Sequence, residues 1–201
     1  MTAVLAPPDE PDRIEPPPRR RMSLAEFERL PEDPAVIRNL IDGELWERDM
    51  TVRNKTHCRV ASRVVQRLQN QLDAEQVPAE APSGEVGVVF PGSDTRVGID
   101  VAVVAQELLD EVLEGTTLVR GVPLMTVEIL SGSESIDEVD SKVEAYLREG
   151  VRLVWVLNPR SRTLTAYRPD AAPQFFSGEQ TVDAEPVLKD FVVPLPKLFE
   201  R

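Results

Sequence analysis

Residues 124–146 read LMTVEILSGSESIDEVDSKVEAY, and the fold is decided there. The first seven alternate as a strand does, with Met125, Val127 and Ile129 on one face and Thr126, Glu128 and Leu130 on the other. Glu128 is the one ionisable group in a strand that otherwise reads as core. A polar Ser/Gly turn follows, and then a helix from Ser135 to Glu149 whose buried stripe is expected at Ile136, Val139, Val143 and Tyr146. Lys142 flanks that stripe. Its stem can cross the apolar surface and bring the ammonium to a buried carboxylate, or the side chain can stay in water and pair with Glu138 one turn back. Gly150 is placed to close the helix. A strand at 152–157 (RLVWVL), a turn at 158–161 and a hairpin partner at 162–167 (RTLTAY) come next.

Working outward, residues 97–104 (VGIDVAVV) repeat the pattern of an apolar strand with one acid, Asp100. Val97, Ile99, Val101 and Val103 are expected on one face and Gly98, Asp100, Ala102 and Val104 on the other, which leaves small neighbours around the acid. A Pro-Gly-Ser-Asp turn joins this strand to an earlier one at 84–90. An acid in so apolar a run is costly unless it is paired with Arg or backbone amides, or holds an ion. One acid on each of two core strands, with a lysine on the next helix, points to a metal-dependent site.

The remaining segments read as support. Residues 1–21, rich in Pro, Arg and Glu, form an expected disordered tail, and residues 22–201 form a single domain. Ser23 and Glu26 make a capping box for a short helix. In LIDGELWER (40–48) the Asp42-Gly43 pair marks a tight turn or bulge, and Glu44 shares a strand face with Asp42 and Trp46. Residues 54–75 form a long amphipathic helix with Val60, Val64, Leu68 and Leu72 at four-residue spacing. His57, the sole histidine, stands in its first turn. It is either a hydrogen-bonded packing residue or a contact for substrate or a metal-bound water.

Composition narrows the classes. The chain has 201 residues, 41% hydrophobic and 29% charged, which suits one globular domain. No apolar run is long enough to cross a bilayer, and the lone Cys58 fits a reducing cytoplasm. The net charge of −12 is awkward for a nucleic-acid binder. Between positions 148 and 168, however, five arginines face one acid, Glu149, which reads either as a local basic edge or as ordinary solvated strand faces. Convergent carboxylates suit Mg²⁺ or Mn²⁺. Cysteine pairs and histidine clusters for zinc are missing, as are P-loop, GxGxxG and GxSxG patterns.

Taken in order, LIDGELWE (40–47), His57 opening a long helix, GIDVAVV (98–104), TVEILSGSES (126–135), Lys142, Tyr146 and GVRLVWVLNPRSRTLTAY (150–167) resemble the PD-(D/E)XK nuclease superfamily. Within it they are most similar to the Uma-type family of putative restriction endonucleases, over roughly residues 23–200. The resemblance implies an α/β restriction-endonuclease-like core, with a mixed central β-sheet flanked by α-helices, often as a homodimer. It assigns Asp100 and Glu128 as metal-binding acids, Glu44 as the first-strand acid and Lys142 as the catalytic lysine. Leu130 occupies the place where the motif usually has its lysine, and Ile99 the place of its proline. His57 and Tyr146 are the candidate substrate contacts. The activity implied is Mg²⁺-dependent endonucleolytic cleavage of DNA. The alternative is a silent nuclease-fold module that binds nucleic acid or protein.

Overall fold

The computed structural model describes residues 19–50, 55–112, 118–131 and 135–200. The first two strands, β1 (Val36–Ile41) and β2 (Glu44–Asp49), form a hairpin. Asp42 and Gly43 both have positive φ, 52° and 74°, the two-residue turn whose twist matches paired strands. LIDGELWER is therefore a turn with its two flanking strands, and the incoming strand β1 begins at Val36, four residues before Leu40.

Eight more strands complete the main sheet: β3 (Ala79–Glu80), β4 (Ser83–Phe90), β5 (Thr95–Ala105), β6 (Leu118–Arg120), β7 (Met125–Ile129), β8 (Leu153–Asn158), β9 (Thr163–Tyr167) and β10 (Gln174–Phe176). The order along it is β10-β9-β8-β7-β5-β1-β2, with β3 and β4 on the other edge of β5 and β6 beside β4. The sheet is mixed, as expected: β7 runs parallel to β8 and antiparallel to β5. Two short strands, β11 (Thr181–Asp183) and β12 (Val192–Pro194), pair separately.

The helices are α1 (Leu24–Phe27), α2 (Lys55–Glu75), α3 (Gln106–Asp110) and α4 (Ile136–Glu149). Among the described residues none is long and apolar enough to cross a membrane. Ser23 and Glu26 form the expected capping box, and Asn54 lies outside the described residues. Helix α2 buries Val60, Val64, Leu68 and Leu72 against Val101, Val103, Met125, Val127, Leu153 and Trp155. Helix α4 packs Val139, Val143 and Tyr146 over the opposite layer, with Val97, Ile99, Ala102, Val154 and Val156. Ile136, expected in that stripe, is 79% exposed. It is the first residue of the helix, before the stripe has turned inward.

The tail expected at 1–21 falls in two parts. Residues 1–18 lie outside the described residues, whereas Arg19, Arg20 and Arg21 pack on the hairpin. Leu45 N–H donates to Arg20 O at 2.8 Å and Met22 N–H to Gly43 O at 2.8 Å. Arg19 lies 3.3 Å from the centroid of the Trp46 ring. Composition alone missed this, because three arginines do not read as a pairing segment.

Candidate active site

The site is built where strand β5 forks. Along one edge β5 pairs with β1 at Arg96 and with β7 from Val101 to Val103, and the stretch between faces neither strand. Its backbone groups still need partners, and side chains supply them. Gly98 N–H donates to Asn39 Oδ1 at 3.0 Å, and Gly98 O accepts from Lys142 Nζ at 3.3 Å.

The opposite edge is irregular at the same level. Gly84 and Glu85, with φ of 96° and 66°, stand opposite the single residue Asp100, between the pairs Ser83–Val101 and Val86–Ile99. This bulge coincides with a break in the expected alternation. Val97 and Ile99 pack beneath α4 with Ala102 and Val104, whereas Val101 and Val103 pack beneath α2. The extra residue bends and twists the strand, so Asp100 sits where β5 changes sides.

Five candidate residues converge here. Asp100 and Glu128 lie one step beyond the paired residues Val101 and Val127 of adjacent strands. Asp100 Oδ2 accepts from Ile129 N–H at 2.8 Å and lies 3.1 Å from His57 Nε2. Glu128 Oε1 accepts from the Tyr146 hydroxyl at 2.7 Å, and Glu128 Oε2 from Lys142 Nζ at 3.2 Å. Lys142 is 1% exposed, so its ammonium faces inward and the solvent-exposed pairing with Glu138 is ruled out. Both acids, at 5% and 2% exposure, sit in a low-dielectric setting where each pairing counts for more than in water.

Two residues do not take the places expected of them. Glu44 stands at the turn end of β2 and pairs with Arg21 at 3.1 Å, both partly in solvent. Its neighbour across β1 is Ile41, on the far side of the Leu40–Arg96 pair from Gly98. The first-strand side chain that does reach the fork is Asn39, whose Nδ2 also donates to Glu138 Oε1 at 2.9 Å. Tyr146 is fully buried and holds Glu128 from behind.

Sequence reading also missed Glu138, buried and 3.9 Å from Arg48, and Glu85, which meets Arg48 at 3.8 Å. Glu138 was within reach: it precedes Lys142 by one turn, so an inward lysine brings it inward too. Glu85 depends on a bulge, which the sequence does not signal.

The donor set fits a hard cation. Mg²⁺ is held by one or two carboxylates and completed by water and phosphate oxygens, and Asp100 and Glu128 are two such groups on neighbouring strands. Among the described residues no group of three or more His, Cys, Asp or Glu side chains is arranged to hold a metal ion, so these two carboxylates would be its protein ligands.

An open cleft of about 810 Å³ lies against the site. Its lining includes His57 and Lys55 from α2, Ile136 and Val139 from α4, and Arg160 and Tyr167 from the β8–β9 hairpin. It opens beyond the carboxyl ends of the parallel strands β7 and β8, the usual place for a ligand in an α/β sheet. His57 is thus the link between cleft and acids.

No curated protein matches the sequence. Among solved structures, a putative nuclease belonging to DUF820 from Anabaena variabilis ATCC 29413 shares the fold, with a TM-score of 0.75 and 23% identity over 89% of this chain and 97% of that one. The Uma2 family model, described as a putative restriction endonuclease, matches residues 24–196. That span takes in Asn39, His57, Asp100, Glu128, Lys142 and Tyr146, and with it the whole fork. The chain belongs to the Uma2 family.

Proposed function

We infer that the protein is a metal-dependent endonuclease that hydrolyses phosphodiester bonds in DNA. The observation carrying this reading is that Asp100 and Glu128 stand on adjacent strands, one step beyond the paired residues Val101 and Val127, with Lys142 buried against one of them. The family's description as a putative restriction endonuclease supports the nuclease class.

In this reading Asp100 and Glu128 hold Mg²⁺ or Mn²⁺. When bound, the metal polarises a phosphoryl oxygen and makes water a better nucleophile. The chain's own residues do the rest. Ile129 N–H and His57 fix Asp100, and Tyr146 fixes Glu128. Lys142 carries a positive charge toward the phosphate and offsets the charge that builds there. His57 faces the cleft and contacts substrate. Glu44 takes no part. A homodimer working in the cytoplasm, as the resemblance and the lone Cys58 imply, belongs to the same reading.

The test is plasmid nicking with Mg²⁺ or Mn²⁺, beside Asp100→Ala and Lys142→Ala, with circular dichroism to confirm that each folds. Nicking that needs metal and is lost in both variants is expected. Absence of nicking, with no metal binding by calorimetry, would move the assignment to a nuclease-fold binding module.

A further inference from the structure

The cleft carries a charge pattern that the acids behind it do not explain. The chain as a whole has 35 acidic and 23 basic residues. Around the cleft the balance reverses, with Lys55 and Arg160 against a single acid, Asp140. A second depression of about 280 Å³ shares Thr56 and Pro159 with the cleft and adds Arg59 and Arg162, with Glu200 its one acid. Lys55 and Arg59 are one turn apart on α2, and Arg160 and Arg162 lie in the turn of the β8–β9 hairpin. None of the four forms an ion pair with another described residue, and Arg59 Nε is buried with no hydrogen-bond partner among them. The cations thus form a track across two adjoining hollows.

The cleft also has an apolar and aromatic part. Tyr167 is half-buried in it, and Ile136 stands exposed at its rim. Burial first, and then the charge of Asp140, push the Tyr167 phenol above its ordinary value. A phenol is uncharged at neutral pH in any case, so the ring can lie against a base without repelling the neighbouring phosphates.

We propose that this track binds a single nucleic-acid strand, with one base stacked in the cleft on Tyr167 and the phosphates running past Lys55, Arg59, Arg160 and Arg162. The inference rests on the nuclease reading and names its substrate as unpaired strand. Size favours one strand: a hollow of about 810 Å³ lies within the ~300–1,000 Å³ of pockets that enclose a small ligand. Charge favours it too. A duplex presents a phosphate about every 1.7 Å of its axis and would meet the acidic surface beyond the track. A single strand confined to the track meets mainly the four cations, since charges more than about 8 Å away are largely screened at physiological salt. His57, on the cleft wall and 3.1 Å from Asp100, would then stand beside the phosphodiester.

The test is fluorescence anisotropy with a labelled oligothymidylate and, separately, with its duplex, in EDTA so that no strand is cut. The single strand should bind about tenfold more tightly than the duplex. Tyr167→Leu, which keeps apolar bulk but loses the aromatic face, should weaken it about tenfold, while Tyr167→Phe should retain affinity. Arg160→Ala and Arg162→Ala should each lower the slope of log affinity against log salt by about 0.7, the value for one lost phosphate contact on a single strand. Equal or tighter duplex binding, an unchanged Tyr167→Leu or an unchanged salt slope would overturn the proposal. Binding is read without metal, so the two readings fail separately. Strand binding without nicking would sink only the nuclease, and nicking with unaltered variant binding would sink only the track.

Discussion

The two faces of the central sheet are each covered chiefly by one long helix, yet they are made of different material. Beneath α2 the contacts are apolar from Val60 onward, where Val60, Val64, Leu68 and Leu72 meet valines, leucines, Met125 and Trp155, and only His57 in its first turn reaches a charged group, Asp100. Beneath α4 the apolar layer is interrupted by Glu128, Lys142 and Glu138, with Asn39 and Tyr146 binding to them. Apolar packing stabilises wherever shapes fit and tolerates small adjustments. Buried charges stabilise only as a completed set, because each one left alone keeps its desolvation cost. The α2 side anchors the strands, and the α4 side sets the positions of reactive groups.

The largest effect should come from breaking the set on the α4 side. Lys142→Met leaves Glu128 buried with the Tyr146 hydroxyl as its remaining partner from that helix. It should cost about 3–5 kcal/mol in urea unfolding. Adding Glu128→Leu to Lys142→Met should restore much of that loss, since replacing a buried pair costs far less than halving it. A double variant as weak as the single would show that the two faces behave alike.

Somewhat smaller is Leu68→Ala on the α2 side, which opens a cavity and should cost about 2–5 kcal/mol. Its folded fraction should nick plasmid at the wild-type rate, measured well below its melting temperature. A loss of nicking beyond the unfolded fraction would mean that the anchoring layer also tunes the site. The smallest effect is expected at Ile136. Although it continues the α4 stripe in sequence, it is exposed, and Ile136→Ser should shift stability by no more than about 0.5 kcal/mol in thermal melts.

Much of this contrast can be read from residue order. The alternation of β7, with Met125, Val127 and Ile129 beneath α2 and Glu128 toward α4, holds in the structure, as does the four-residue stripe of α2. Asp100, Glu128, Lys142 and His57 do meet, because strand period and helix period fix which way each one points. What fails depends on register between distant segments. Glu44 shares a strand face with Trp46, but which strand end lies beside Asp100 is set by the Leu40–Arg96 pairing. That pairing places Asn39 at the fork and Glu44 far from it. The alternation expected along β5 fails at Asp100 because two residues of β4 bulge opposite it, and a single strand's pattern carries no trace of its neighbour's extra residue. The arginine-rich stretch from 148 to 168 divides as well. Arg148 and Arg168 are engaged by Asp42 and Asp183, while Arg160 lines the cleft and Arg162 the hollow beside it.

The backbone pairing of Arg20 and Met22 with the hairpin has a practical consequence for handling the protein. Among the described residues strand β2 ends the sheet on its side, and an uncovered border of this kind offers a row of N–H and C=O groups to any other extended chain. Residues 20–22 close the part of that border around Gly43 to Leu45, and the charges of Glu47, Arg48 and Asp49 discourage pairing along the rest. A preparation clipped by protease after Met22 would lose this cover and Met22 from the small cluster with Phe27, Leu40 and Leu45, while keeping the two large core layers and its acids. It would still read as folded by circular dichroism, yet it would tend to stack border to border and come out of solution.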